Sequence, residues 1–159
     1  MEADFLSVWN RVNGAAPPDT PEAQLRRFIL SEAEDVCMLR TMLQKVCDNF
    51  LCRKLSQVCT EKTRQLKRLR TALYLLASEY EYPTITQKID RPEPLPALKV
   101  LYERVCAAAA DYRKAASETD RAALEIVYAS LAEAEARHAI RLSECAERLI
   151  CLNGQKAPL

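Results

Sequence analysis

The sequence predicts an all-α protein, a bundle of four helices in which two antiparallel hairpins are joined by a long crossover connection. Three observations predict it. Apolar residues recur at steps of three and four through four long stretches, the periodicity of a helix with one buried face. The only two glycines, Gly14 and Gly154, lie near the ends, so no glycine interrupts the helical pattern between them. Pro83, Pro92, Pro94 and Pro96 fall together in the one long stretch without helical period.

The elements follow in order. Residues 1–20 read as a docking segment and linker: Phe5, Leu6, Val8 and Trp9 make an apolar, aromatic patch, and Pro17, Pro18 and Pro21 then break the pattern. Residues 21–152 form the bundle. Thr20 is placed to cap the first helix, with Pro21 in the first helical position and Glu22 in the first turn, where a carboxylate favours the helix dipole. This helix covers 21–46. After an interruption at Cys47, Asp48 and Asn49, a second helix covers 50–78, with Lys62, Arg64, Lys67, Arg68 and Arg70 distributed around it as a solvated surface. A third covers about 96–116, and a fourth runs from about Asp120 to Leu152 and stops at Asn153 and Gly154. Short turns make each flanking pair a hairpin. The middle connection, about 18 residues, reaches some 60 Å if extended, enough to run the length of a helix and start the third at the far end.

Composition excludes several functions. With 23 Lys and Arg against 22 Asp and Glu among 159 residues, the chain lacks the excess of positive charge expected of a nucleic-acid binder. No apolar run approaches the ~20 residues of a membrane span. The missing glycines remove phosphate-binding loops and dinucleotide fingerprints. Seven cysteines (Cys37, Cys47, Cys52, Cys59, Cys106, Cys145 and Cys151), an odd number with no CxxC pair and no leader ahead of them, read as reduced thiols in a cytoplasm, serving as small buried apolar residues. One histidine excludes metal sites that need several imidazoles.

Candidate chemistry lies where polar residues interrupt apolar stripes. In the first helix the inward series Leu25, Ile29, Glu32, Val36, Leu39, Leu43 and Val46 has one polar member, Glu32. In the fourth, Leu124, Val127, Leu131, Glu135, His138, Leu142, Cys145 and Leu149 has two, Glu135 and His138, one turn apart on one face. Burying an ionised carboxylate without a partner is costly, so these groups need one another or a cation. Glu135 and His138 form a Glu-x-x-His element that can place two ligands on one metal ion; a buried Glu–His hydrogen bond without metal is the other reading.

Helix four, AALEIVYASLAEAEARHAIRL over 122–142, resembles the last bundle helix of the rubrerythrin branch of the ferritin-like superfamily. The order of elements, the crossover and Tyr112-Arg113-Lys114-Ala115-Ala116 are similar too, so that the likeness covers roughly residues 22–150. The resemblance implies a di-iron centre with a Glu from each of helices one and three and a Glu-x-x-His from each of helices two and four. It assigns Glu32, Glu135 and His138 as ligands. In helix two the matching stretch, Glu61-Lys62-Thr63-Arg64, keeps Glu61 but has Arg64 in place of histidine. In helix three Ala107 stands at the ligand position and the nearest carboxylate, Glu103, lies one turn early. The chain lacks the paired CxxC elements of the rubredoxin-like module found in full-length rubrerythrins, and with them that module's electron-transfer site.

Two functions are therefore expected. One is a ferritin-like protein holding iron or manganese through Glu32, Glu61, Glu135 and His138, with Glu103 as a further ligand and Tyr112 and Tyr128 nearby, reducing peroxide or oxidising iron. The other, with no metal, is a non-catalytic helical scaffold, a homodimer whose former metal site is a salt-bridge cluster into which Arg64 points. Neither nucleic acid nor membrane is expected as a partner, and Phe5, Leu6, Val8 and Trp9 would either pack across their own bundle or be the docking surface for a second subunit.

Overall fold

The computed structural model describes residues 20–85 and 93–155, and the expected docking segment lies outside them. The described residues form four helices and no strand: α1 Pro21–Leu43, α2 Asn49–Ala77, α3 Pro94–Glu118 and α4 Ala122–Gln155. Each boundary falls within about three residues of its expected place.

Local chemistry sets the ends. The Thr20 hydroxyl accepts from the Ala23 amide at 3.2 Å and Pro21 opens α1, as the sequence predicts. Asp48 caps α2, its Oδ1 accepting from the Leu51 amide at 3.0 Å while its Oδ2 accepts from Arg148 of α4 at 2.8 Å. The hydrogen bond from Arg148, with that from Leu51, holds the Asp48 carboxyl below the usual range. α2 stops at Ser78, which takes the left-handed conformation at φ 56° and returns its amide to Tyr74 O at 2.8 Å. A non-glycine residue pays for that conformation, and the closing hydrogen bond compensates.

α1 packs on α2, α3 on α4, α2 on α4, and α1 more loosely on α3. Two apolar clusters fill the interior. One joins Leu39 and Met42 of α1, Leu51, Leu55 and Val58 of α2, Leu98, Leu101 and Val105 of α3, and Leu142 and Cys145 of α4. The other joins Leu25 and Ile29, Leu69 and Leu73, Tyr112 and Ala115, and Leu124, Tyr128 and Leu131. Along α1, α2 and α4 most buried residues between these two sets are polar: Glu32 and Asp35, beside Ala33 and Val36, in α1, Lys62 and Gln65 in α2, and Glu135 and His138 in α4. The bundle thus has a polar middle layer between two apolar ends.

The cysteines depart from expectation. All seven are free, but only Cys145 is buried; Cys47, Cys106 and Cys151 are exposed and the other three partly buried. Reading them as core residues fails because Cys47 lies in the α1–α2 turn, and Cys106 and Cys151 on the outer faces of α3 and α4. Burial pushes the Cys145 thiol up to about 11. No helix among the described residues is long and apolar enough to cross a membrane.

A buried lysine among three carboxylates

Lys62 stands at the centre of the polar layer. In α2 the inward residues Leu51, Leu55, Val58, Lys62, Gln65, Leu69 and Leu73 step by three and four, which carries Lys62 to the bundle axis with no solvent exposure. Its Nζ lies 3.1 Å from Glu32 Oε2, 3.0 Å from Asp35 Oδ2 and 2.9 Å from Glu135 Oε2. Glu32, Asp35 and Glu135 are each at most 1% exposed. The ammonium donates to Glu32 Oε2 and to both oxygens of Glu135, and Asp35 stands beside it at ion-pair distance.

Each carboxylate is satisfied further. The Tyr112 hydroxyl of α3 donates to Glu32 Oε1 at 2.9 Å. Arg104, also of α3, directs Nε to Asp35 Oδ1 and Nη2 to Glu34 Oε2 at 2.9 Å, tying α3 to α1. Glu135 Oε1 faces His138 Nδ1 at 3.3 Å, and His138 Nε2 faces Glu61 Oε2 at 2.9 Å. Arg141 Nη1 completes the line, donating to the same Glu61 oxygen at 2.7 Å. Both ring nitrogens of His138 thus face carboxylate oxygens, although a neutral imidazole has a proton for only one.

The electrostatics are uneven. Burial would lower the Lys62 ammonium, but the charges of Glu32, Glu135 and Asp35 outweigh it and hold the group above its ordinary value. Burial would likewise raise Glu135, yet the His138 hydrogen bond and the Lys62 charge leave it below the usual range. Glu61 is lowered as well, its burial overcome by the hydrogen bonds from Arg141 and His138. Glu32 differs: burial, reinforced by Glu135 and Asp35, exceeds the pull of Lys62 and raises its carboxyl to about 7. Glu32 and Glu135 share one ammonium, and of the two Glu32 holds a proton more readily. Burial, with the adjoining Glu32 charge, drives the Tyr112 phenol far above its normal range, so it acts as a neutral donor.

Among the residues expected from sequence, Glu32, Glu61, Glu135, His138 and Tyr112 come together. Arg64 does not. It is exposed, and Lys62, two residues earlier, supplies the interior cation. Two positions along a helix turn about 200°, so only one of the pair faces inward. Glu103 and Ala107 are likewise exposed, because α3 turns Leu101, Val105, Ala109 and Tyr112 toward the core. Ala107 lines a groove of about 1070 Å³ between α1 and α3, whose wall includes Arg104 and Tyr112. Tyr128 is buried, but its ring lies in the apolar cluster, 5.5 Å from Phe28 and 6.3 Å from Tyr112, and its hydroxyl has no partner among the described residues. Burial pushes that phenol to about 12.

Sequence reasoning missed Lys62, Asp35, Arg104 and Arg141. The signal for Lys62 was the same interruption of an apolar series that found Glu32. Asp35, one turn beyond Glu32, was reachable from the same face.

Among the described residues, no group of three or more His, Cys, Asp or Glu side chains is arranged to hold a metal ion. Comparison with protein-family models, with curated proteins and with solved structures found no match.

Proposed function

We propose that this chain is a non-catalytic helical scaffold of ferritin-like, rubrerythrin-related build, in which the Lys62 ammonium supplies the positive charge that a metal would bring to the centre. The observation that carries this reading is the contact of Lys62 Nζ with Glu32, Asp35 and Glu135, all out of solvent. The donor set does not fit a dinuclear iron or manganese site as it stands. A metal ion would compete with a fixed positive charge for the same carboxylate oxygens, and α3 offers no inward carboxylate among the positions expected to ligate.

Two features support the ferritin-like topology. The start of α3 shares an apolar cluster with the end of α1 and the start of α2, whereas the end of α3 meets the start of α1 and the end of α2. This arrangement supports α1–α2 and α3–α4 as antiparallel hairpins with a lengthwise crossover between them. A homodimer in the cytoplasm remains part of the proposal.

Metal analysis tests the reading. Protein purified from cells supplied with iron and manganese is expected to carry far less than one ion per chain, and added metal is expected to leave its thermal midpoint unchanged. Stoichiometric iron or manganese, with peroxide or iron turnover, would establish the oxidoreductase instead.

A further inference from the structure

Of the seven cations of α2, the five from Lys62 to Arg70 have three different fates. Lys62 enters the core, and Arg70 lies over the rings of Tyr82 at 4.0 Å and Tyr80 at 5.4 Å. Arg64, Lys67 and Arg68 remain on one exposed face, with Thr71 and Leu75 continuing the same row at helical steps. None of these three cations pairs with a described carboxylate; Arg68 donates only to the Ser130 hydroxyl, at 2.9 Å. They border a groove of about 360 Å³ between α2 and α4, completed by Thr71, Ala72, Leu75 and Val127, with no acidic residue in its lining. Leu75 is 78% exposed, the most exposed large apolar side chain described.

The geometry points to this groove as a docking site for an acidic amphipathic helix of another protein. The row from Arg64 to Leu75 spans about 16 Å, three helical turns, which suits a short helix lying along it. Ala72, Leu75 and Val127 receive its apolar side chains, and the unpaired cations meet Glu or Asp on its flank. Unpaired surface charge of one sign beside an apolar floor selects for such a partner and against a basic one. A flat bilayer would not reach a floor between two helices. Three cations are also few for a nucleic-acid backbone, whose binding scales with the number of phosphates neutralised. The inference is independent of whether the core holds metal.

The experiment uses the full chain and a fluorescent synthetic peptide of about five helical turns, with Leu on one face and Glu beside it. Fluorescence anisotropy is expected to show saturable binding that weakens with salt. Binding should fall roughly tenfold or more in the triple variant Arg64→Glu, Lys67→Glu, Arg68→Glu and in Leu75→Asp, and stay unchanged in Arg53→Glu. All substituted positions are exposed, and an unchanged thermal midpoint verifies the fold of each variant. Equal binding of a scrambled peptide of the same composition would overturn the inference. So would retention of binding by the triple variant or Leu75→Asp, or tighter binding to phosphatidylserine vesicles, to duplex DNA or to a second copy of the chain.

Discussion

The two apolar ends of the bundle and the polar layer between them are equally inaccessible to solvent but are stabilised differently. In the end clusters, side chains such as Leu55 and Leu101 contribute by leaving water, and the loss of any one is graded by the cavity it leaves. In the middle layer Lys62, Glu32, Asp35 and Glu135 each give up hydration that the others, with Tyr112, Arg104 and His138, return. The ends tolerate approximate fits; the middle depends on a complete set of partners. Such a layer also fixes register, because sliding any helix by one turn would set its charges against hydrocarbon.

The comparison is tested most severely at Lys62. Lys62→Met leaves three buried carboxylates without their cation and is expected to destabilise the chain by about 3–5 kcal/mol in urea denaturation. A loss below that of an ordinary core truncation would remove the distinction between layer and ends. Leu101→Ala, in the cluster formed by the start of α3, should cost about 3 kcal/mol, within the usual range for a buried leucine. Tyr112→Phe keeps the ring but withdraws the proton donated to Glu32, and is expected to cost about 2 kcal/mol.

The layer also predicts a pH dependence. Glu32 binds its proton more tightly when folded, so as pH rises from about 4.5 through about 7 this group progressively removes stability. Glu135 and Glu61 act oppositely: their lowered values add stability that is present above about 4.5 and lost as pH falls further. Stability measured between these limits should therefore decline with rising pH, and Glu32→Gln should flatten the decline. An unchanged slope would show that Glu32 is not the proton-holding group. The smallest effect is expected at Arg64: its exposed side chain makes no ion pair with the described residues, so Arg64→Ala should change stability by less than about 0.5 kcal/mol.

The sequence made the four helices legible because their apolar steps, caps and proline breaks agree. It also revealed the layer in α1 and α4, where a carboxylate or imidazole interrupts hydrocarbon. Lys62 was concealed among surface-type neighbours: lysine is seldom fully buried, and in a basic run it reads as solvated. Arg64 has the spacing from Glu61 that a ligand pair needs but not the helical phase of the inward residues, and so lies on the opposite face. Arg104 and Arg141 are partly exposed residues that reach inward only with the tertiary fold in place, so no local pattern marked them.

The central claim is that Lys62 occupies the place of a cation. Titration of wild type and Lys62→Ala with Co(II), followed by visible absorption and thermal midpoint, tests it most directly. Wild type is expected to give no spectrum and no stabilisation, whereas the variant, with Glu32, Asp35, Glu135 and His138 freed, acquires both. Co(II) bound by wild type with Lys62 intact, or by neither protein, would contradict it.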